Sequence, residues 1–164
     1  MATSNTVERI LSSNAGAAAL LLRVPVGIIL AAHGSQKLFG WFGGYGLEGT
    51  GQWMASIGLE PGYLMALLAG SAEFFGGLAL VLGLATRPAA LVTAFTMLIA
   101  IFSVHIEGGL FLTNNGYEYA LALLATTAAL TVQGAGSLSV DNLLVHQIRK
   151  ADESRLTGGA ALAS

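Results

Sequence analysis

Residues 21–40 read LLRVPVGIILAAHGSQKLFG, an apolar run that one arginine interrupts and that ends near a histidine and a lysine. As an α-helix rising 1.5 Å per residue, a run of this length crosses about 30 Å of hydrocarbon. The whole chain of 164 residues is 54% hydrophobic and 10% charged, whereas an average soluble domain has about 25% charged residues. Its net charge of −2 offers no basic surface for nucleic acid. We therefore predict an integral membrane protein.

Hydropathy over windows of about 19 residues predicts four membrane-spanning helices. The spans cover 15–39, 62–84, 88–106 and 117–133. The short connection at 84–88 makes the second and third spans antiparallel neighbours. The loop at 40–61 contains GTGQWMASIGL, which we interpret as a short interfacial helix or a re-entrant turn. Lys and Arg near the span ends concentrate on the side of both termini, which is typical of the cytoplasmic side.

The predicted fold class is an all-α, integral membrane four-helix bundle with both termini cytoplasmic. We divide the chain into a cytoplasmic N-terminal segment at 1–14, a four-span membrane domain at 15–144 and a cytoplasmic C-terminal tail at 145–164. The expected location is the cell (cytoplasmic) membrane, which the chain crosses several times in contact with the lipid bilayer.

The ionisable residues of the spans lie on the small-residue faces of their helices. Arg23 shares a face with His33 and Lys37, and Glu73 lies between two glycines on the second span. A charge near the bilayer centre costs about 2.5 to 3.5 kcal/mol, so we expect these groups to face the bundle interior. Arg23 and Glu73 are predicted to form a pair. We expect this pair to lie deeper in the bundle than a group of five side chains at its outward-facing end. That group consists of His33, Lys37, His105, Glu107 and Glu118.

The third and fourth spans give weaker signals. A regular helix places His105 in phase with Leu98 and Phe102 and away from the small, polar side of its span. On the fourth span we take the inward face as the small-residue stripe of Glu118, Ala122, Ala125 and Ala129.

Each of these groups also has a structural interpretation. An Arg23–Glu73 pair can fix helix register, Lys37 can anchor at the interface with His33 bonded to a carbonyl group, and the carboxylate of Glu118 suits the first turn of a helix. Alternatively, the imidazole can pass protons and the ammonium can stabilise an anionic oxygen. No metal site is expected, because neither Glu-x-x-His nor His-x-x-x-His occurs to place two ligands on one helix face.

Six stretches together resemble the DoxX family of bacterial four-span membrane proteins, over about residues 18–144. They are LLRVPVGIILAAHGSQKLFG, GTGQWMASIGLEP, LLAGSAEFFGGLALVLGLATRPAAL, TMLIAIFSVH, EYALALL and GAGSLSVDNLL. The positions that match the family pattern are Arg23, His33, Gly34, Lys37, Glu73, His105, Glu118, Ser139 and Asp141. The resemblance implies a helical bundle that works with redox proteins. Members include the membrane subunit of a thiosulfate:quinone oxidoreductase, a component of an oxidative-stress defence complex and relatives linked to quinone or catechol detoxification.

We therefore expect a membrane subunit of an oxidoreductase system with an outward-facing polar pocket for a quinone headgroup or a small oxidisable substrate. His33, Lys37 and Glu73 are the predicted catalytic residues, and Arg23, His105 and Glu118 the predicted substrate-binding residues. No covalent cofactor is expected, and a quinone is the candidate ligand. The expected partners are a redox protein and, in a homo-oligomer, further copies of the chain. The alternatives are a non-catalytic scaffold that anchors soluble redox or stress-defence proteins, and a small-molecule transporter.

Overall fold

The computed structural model describes residues 2–13 and 15–161, with side chains at 6–13, 15–152 and 154. Within these ranges all regular structure is helical. The α-helices are α1 (Ala2–Leu11), α2 (Ala18–Phe39), α3 (Gly46–Ser56), α4 (Gly62–Leu82), α5 (Thr86–Ala100), α6 (Glu118–Gln133) and α7 (Val140–Ala161). A π-helix at Ile101–His105 continues α5, and single 3₁₀ turns occur at Trp41–Gly43, Ile106–Gly108 and Leu112–Asn114.

Three of these segments are long and apolar enough to cross a membrane. They are α2 with 22 residues, α4 with 21 residues and the 23-residue segment Thr86–Gly108, which joins α5 to its π-helical continuation. The all-helical membrane bundle is thus confirmed. Helix α6 has only 16 residues, about 24 Å at 1.5 Å per residue. The count of four spans and the cytoplasmic position of the termini stay predictions.

Helices α2 and α4 pack with their backbones in contact, because glycines face each other across the interface. A Cβ atom at Gly27 would lie 2.6 Å from the carbonyl oxygen of Gly77, and a Cβ atom at Gly77 would lie 2.6 Å from that of Gly27. Gly34 makes an equally close approach to the backbone at Gly70. Small residues let helices approach closely in lipid, and the glycines allow this close packing of α2 on α4. The inward direction predicted for the ionisable groups is confirmed at Arg23 and Glu73, which are buried, whereas His33 is exposed.

The predicted inward stripe of α6 is wrong. Its four members, Glu118, Ala122, Ala125 and Ala129, are all exposed. The buried positions are Ala120, Leu123, Thr127 and Leu130. Helix α6 packs against α5 and α2 with a buried face that mixes leucines with smaller residues, so small residues alone do not mark the contact face.

The two ends of the bundle are built differently. The α3 end, residues 40–61 and 106–117, carries α3, which packs against the start of α4 where Gly51 approaches Gly62 and Tyr63. The predicted short helix within 40–61 is therefore confirmed. The α7 end comprises residues 83–86 and 134–141 together with α1 and α7. There Glu8 and Arg149 join the two terminal helices by an ion pair of 2.6 Å. The predicted boundary at 144 falls within α7.

Candidate functional site

The centre of the candidate site is an ion pair between α2 and α4. The Nζ atom of Lys37 lies 2.5 Å from Oε2 of Glu73. The Glu73 side chain is only 4% exposed, whereas that of Lys37 is 24% exposed. A carboxylate removed from water needs a partner of opposite charge, so the ammonium group compensates Glu73 while remaining partly accessible.

The predicted pair between Arg23 and Glu73 is wrong, and the direction of the side chains explains why. Side chains in an α-helix tilt toward the N-terminus of their own helix. On the antiparallel helices α2 and α4, Lys37 and Glu73 therefore point toward each other. Arg23 tilts the opposite way from Glu73, toward the α7 end.

Arg23 is buried at the α7 end, where it binds four backbone carbonyl groups. Its guanidinium donates to the oxygens of Leu80 at 2.9 Å and Ala135 at 3.2 Å, and to those of Val81 and Leu138. Carbonyl groups at the end of a helix have no partner within that helix. Arg23 thus joins the last turn of α4 to the segment after α6, and the structure does not bring it to the other predicted site residues.

Beneath the ion pair lies a cavity of about 110 Å³ between α2, α4, α5 and α6. Its polar lining side chains are His33, Lys37, Glu73, His105 and Tyr119, and its apolar lining residues are Leu30, Met97, Ala100, Ala120 and Leu123. The structure thus brings together four of the predicted site residues, which are His33, Lys37, Glu73 and His105.

His105 reaches this cavity because of the π-helix. A π-helix inserts one extra residue into a turn, so His105 takes the angular position that residue 104 has in a regular α-helix. That position continues the buried face of Met97 and Ile101. Our expectation that His105 follows Leu98 and Phe102 is therefore wrong. The Nδ1 atom of His105 lies 2.9 Å from the carbonyl oxygen of Asn115.

The hydrogen bond from His105 also assigns its tautomer. A carbonyl oxygen only accepts, so Nδ1 carries the hydrogen and donates it. In the neutral ring, Nε2 is then the acceptor. The cavity wall therefore contains a nitrogen base held in place by the loop at 106–117.

Sequence reasoning missed Tyr119 and misplaced Glu118. The ring of Tyr119 lies 6.2 Å from that of His33, centroid to centroid, where α6 faces α2. Glu118 is exposed, and its Oε1 accepts a hydrogen bond of 2.6 Å from the backbone N–H of Leu112. Glu118 thus fastens the loop at 106–117 instead of lining the cavity. Glu107 is also exposed and outside the cavity lining.

A second, larger space lies above the ion pair, at the α3 end. It has a volume of about 660 Å³ and is bounded by the end of α2, the turn at 43–45 and α3. Its lining side chains are Gln36, Lys37, Tyr45, Thr50, Gln52 and Trp53. We call it the outer space and the smaller one the inner cavity. Lys37 belongs to the walls of both.

The candidate site has no set of side chains arranged for a metal ion. Among the residues that the structure describes, no three His, Asp or Glu side chains form such a group.

Comparison with known proteins gives one family and several relatives. The sequence model of the DoxX family matches residues 18–106. A Bacillus subtilis protein named "Putative oxidoreductase CatD" is 38% identical over 122 residues, covering 74% of this chain and 83% of the relative. The Escherichia coli "Inner membrane protein YqjF" is 36% identical over 128 residues, covering 73% and 92%. No solved structure matches the chain.

Proposed function

Because the chain belongs to the DoxX family of membrane proteins, we propose that it is an integral membrane subunit of an oxidoreductase system. In this proposal the polar groups around the Lys37–Glu73 ion pair serve a quinone headgroup or a small oxidisable molecule. The name of the B. subtilis relative supports the reaction class, and that of the E. coli relative supports the inner membrane as the location. The observation that carries the proposal is the ion pair of Lys37 with the buried Glu73, which shares a cavity lining with two histidines and a tyrosine.

The chemistry of a quinone suits these side chains. Its reduction places negative charge on the ring oxygens and then takes up protons. The ammonium group of Lys37 is positioned to stabilise a developing oxyanion, as preorganised donors do. His33, His105 and Tyr119 line the cavity directly beneath, where they exchange protons with the ligand or with water.

The electrons come from outside the chain in this proposal. The sequence contains no cysteine, so thiolate-bound clusters and dithiol relays have no ligands here. A redox protein partner therefore supplies or removes electrons, and the ligand in the membrane subunit carries them.

We place the protein in the cell membrane with four spans, both termini cytoplasmic and the α3 end facing outward. The ion pair between α1 and α7 supports this arrangement because it holds both terminal helices at the same end of the bundle. The aromatic residues Trp41, Tyr45 and Trp53 at the α3 end are typical of a membrane–water boundary.

The direct test substitutes Glu73→Gln and His33→Ala and measures quinone reduction by membranes, taken as the difference between membranes with and without the chain. We expect this chain-dependent rate to fall at least tenfold while the amount inserted stays the same by immunoblot. Glu107→Gln is the matched control, because that carboxylate is exposed and lies outside the cavity.

The same experiment separates the alternatives. An unchanged rate in both cavity variants removes the quinone proposal. If partner proteins still co-purify with those variants, the scaffold becomes the better interpretation. If sealed vesicles take up or release a solute and this flux is lost in the cavity variants, the transporter becomes the better interpretation.

A further inference from the structure

We propose that the outer space is a second binding site, which takes a planar ring carrying oxygen acceptors, such as a quinone ring, with Lys37 at its floor. This inference rests on the proposed function for the identity of the ligand. It moves the ring itself away from the inner cavity and assigns it to residues of α3 and the turn before it.

The two volumes support this division. An engineered apolar cavity of about 150 Å³ is large enough for benzene, and the inner cavity has only about 110 Å³. At about 30 Å³ per molecule, the inner cavity holds roughly three waters. Sites for small molecules usually have about 300 to 1,000 Å³, and the outer space with about 660 Å³ lies within that range.

The side chains of the outer space suit a flat ring with polar edges. Tyr45 is 82% exposed and Trp53 is 43% exposed, so both rings are available for stacking. The amide groups of Gln36 and Gln52 and the hydroxyl group of Thr50 are the polar groups of the wall. A few polar groups among aromatic rings are typical of a small-molecule site.

Lys37 has hydrogen-bonding capacity left for a ligand. An ammonium group has three donors and no acceptor, and one donor is used by Glu73. Among the described residues Nζ makes no second hydrogen bond. A ligand with an oxygen acceptor therefore suits Lys37, and because the ion pair is neutral overall, a carbonyl oxygen is as acceptable as an ionised one.

The walls of the outer space are held by close backbone contacts. A Cβ atom at Gly51 would lie 2.9 Å from Cα of Tyr63, which docks α3 on α4. Gly44 lies against the backbone of Gln36, so the turn at 43–45 rests on the last turns of α2. These contacts position the backbone of α3 and of the turn against α4 and α2 before any ligand arrives.

The test uses 9,10-anthraquinone-2-sulfonate, a stable water-soluble quinone, and the two tryptophans of the chain. Trp53 lines the outer space. Trp41 does not line it, and its ring contacts that of Phe39 in a tilted arrangement with 5.0 Å between the centroids. The Trp41→Phe variant thus reports on the outer space, and Trp53→Phe is its matched control. With purified protein in bilayer discs, we expect saturable quenching in Trp41→Phe and only weak, linear quenching in Trp53→Phe.

Affinity measurements then test the polar contacts. In the Trp41→Phe background, Gln52→Leu should weaken binding about 3- to 10-fold and Lys37→Met at least about tenfold, as for neutral and charged hydrogen bonds. Gln52 is exposed, so its substitution leaves the bundle intact even if Lys37→Met disturbs folding. Anthracene-2-sulfonate, which has the ring and charge without the carbonyl oxygens, should bind at least tenfold more weakly.

Equal quenching of both tryptophan variants, or affinity unaffected by Gln52→Leu and Lys37→Met, would overturn the inference and indicate partition into lipid. The two proposals fail separately. If the anthraquinone does not bind at the outer space but the rate of quinone reduction still depends on Glu73, only the outer site is refuted. If the anthraquinone binds saturably near Trp53 but Glu73→Gln leaves the rate of quinone reduction unchanged, only the proposed function is refuted.

Discussion

The Lys37–Glu73 pair predicts an asymmetric response to neutralising its two members. In Lys37→Met the carboxylate of Glu73 remains without its partner. In Glu73→Gln the ammonium group of Lys37 remains, and the glutamine oxygen still accepts its hydrogen bond. The first change should therefore lower the free energy of unfolding much more than the second.

The magnitudes follow from the burial of the two groups. Glu73 is only 4% exposed, so breaking its pair costs about 3 to 5 kcal/mol. Lys37 is 24% exposed, and its flexible stem lets the charge move toward the outer space. Exchanging a charged for a neutral acceptor there costs about 1 to 2 kcal/mol. The difference of about 2 kcal/mol is roughly a 30-fold change in the unfolding equilibrium.

The assay is reversible unfolding by sodium dodecyl sulfate in mixed micelles, followed by far-ultraviolet circular dichroism. The double variant Lys37→Met/Glu73→Gln should be more stable than Lys37→Met alone, because it leaves no buried charge. Glu107→Gln, exposed at the same end, should stay within about 0.5 kcal/mol of the parent. If Glu73→Gln costs as much as Lys37→Met, or if the two losses add, the reasoning about burial is refuted.

Three further predictions concern the framework around the site. Gly34→Ala should destabilise the bundle by about 1 to 3 kcal/mol because its Cβ meets several backbone atoms of α4. Thermal denaturation should show a smaller loss for Gly76→Ala, whose Cβ meets one methyl group of Thr93 and no backbone atom closer than 3.7 Å. Arg23→Lys should lower the free energy of unfolding by about 1 to 3 kcal/mol, because lysine cannot make all of the hydrogen bonds that Arg23 donates to carbonyl groups. A change of more than twofold in anthraquinone affinity in this variant would contradict a purely structural role for Arg23 at the α7 end. The carboxylate of Asp141 accepts hydrogen bonds from the backbone N–H groups at the start of α5, so Asp141→Ala should lower the free energy of unfolding by about 1 to 2 kcal/mol. An unchanged rate of hydrogen exchange at the Thr86 amide would contradict this capping role.

The sequence was sufficient for the membrane bundle and for the contact between its first two long helices. Glycines recur every seven residues on α2 and α4, and such a stripe favours one face of each helix for close packing. Gly27, Gly34, Gly70 and Gly77 therefore mark the α2–α4 interface even when the other helices are not considered. On α6 the same reasoning failed, because alanine is acceptable both against lipid and against a neighbouring helix. The spacing of the buried residues Leu123, Thr127 and Leu130 was the available signal.

The pairing of charges needed more than helical phase. Arg23 and Lys37 share a face of α2, and periodicity alone does not tell which of them meets Glu73. The tilt of side chains toward the helix N-terminus does, once the helices are antiparallel. Tyr119 was missed because the face chosen as inward on α6 lies about one residue, or 100°, away from the buried face.

The π-helix after α5 changes how a relative of this protein should be aligned. Here eight positions separate Met97 from His105, and both side chains reach the same interior surface. A relative with an unbroken α-helix would present a histidine at that place after seven positions. An alignment without gaps would then pair His105 with a lipid-facing residue of that relative, and the histidine would seem to be lost. The equivalent histidine of the relative would lie one position earlier in its sequence.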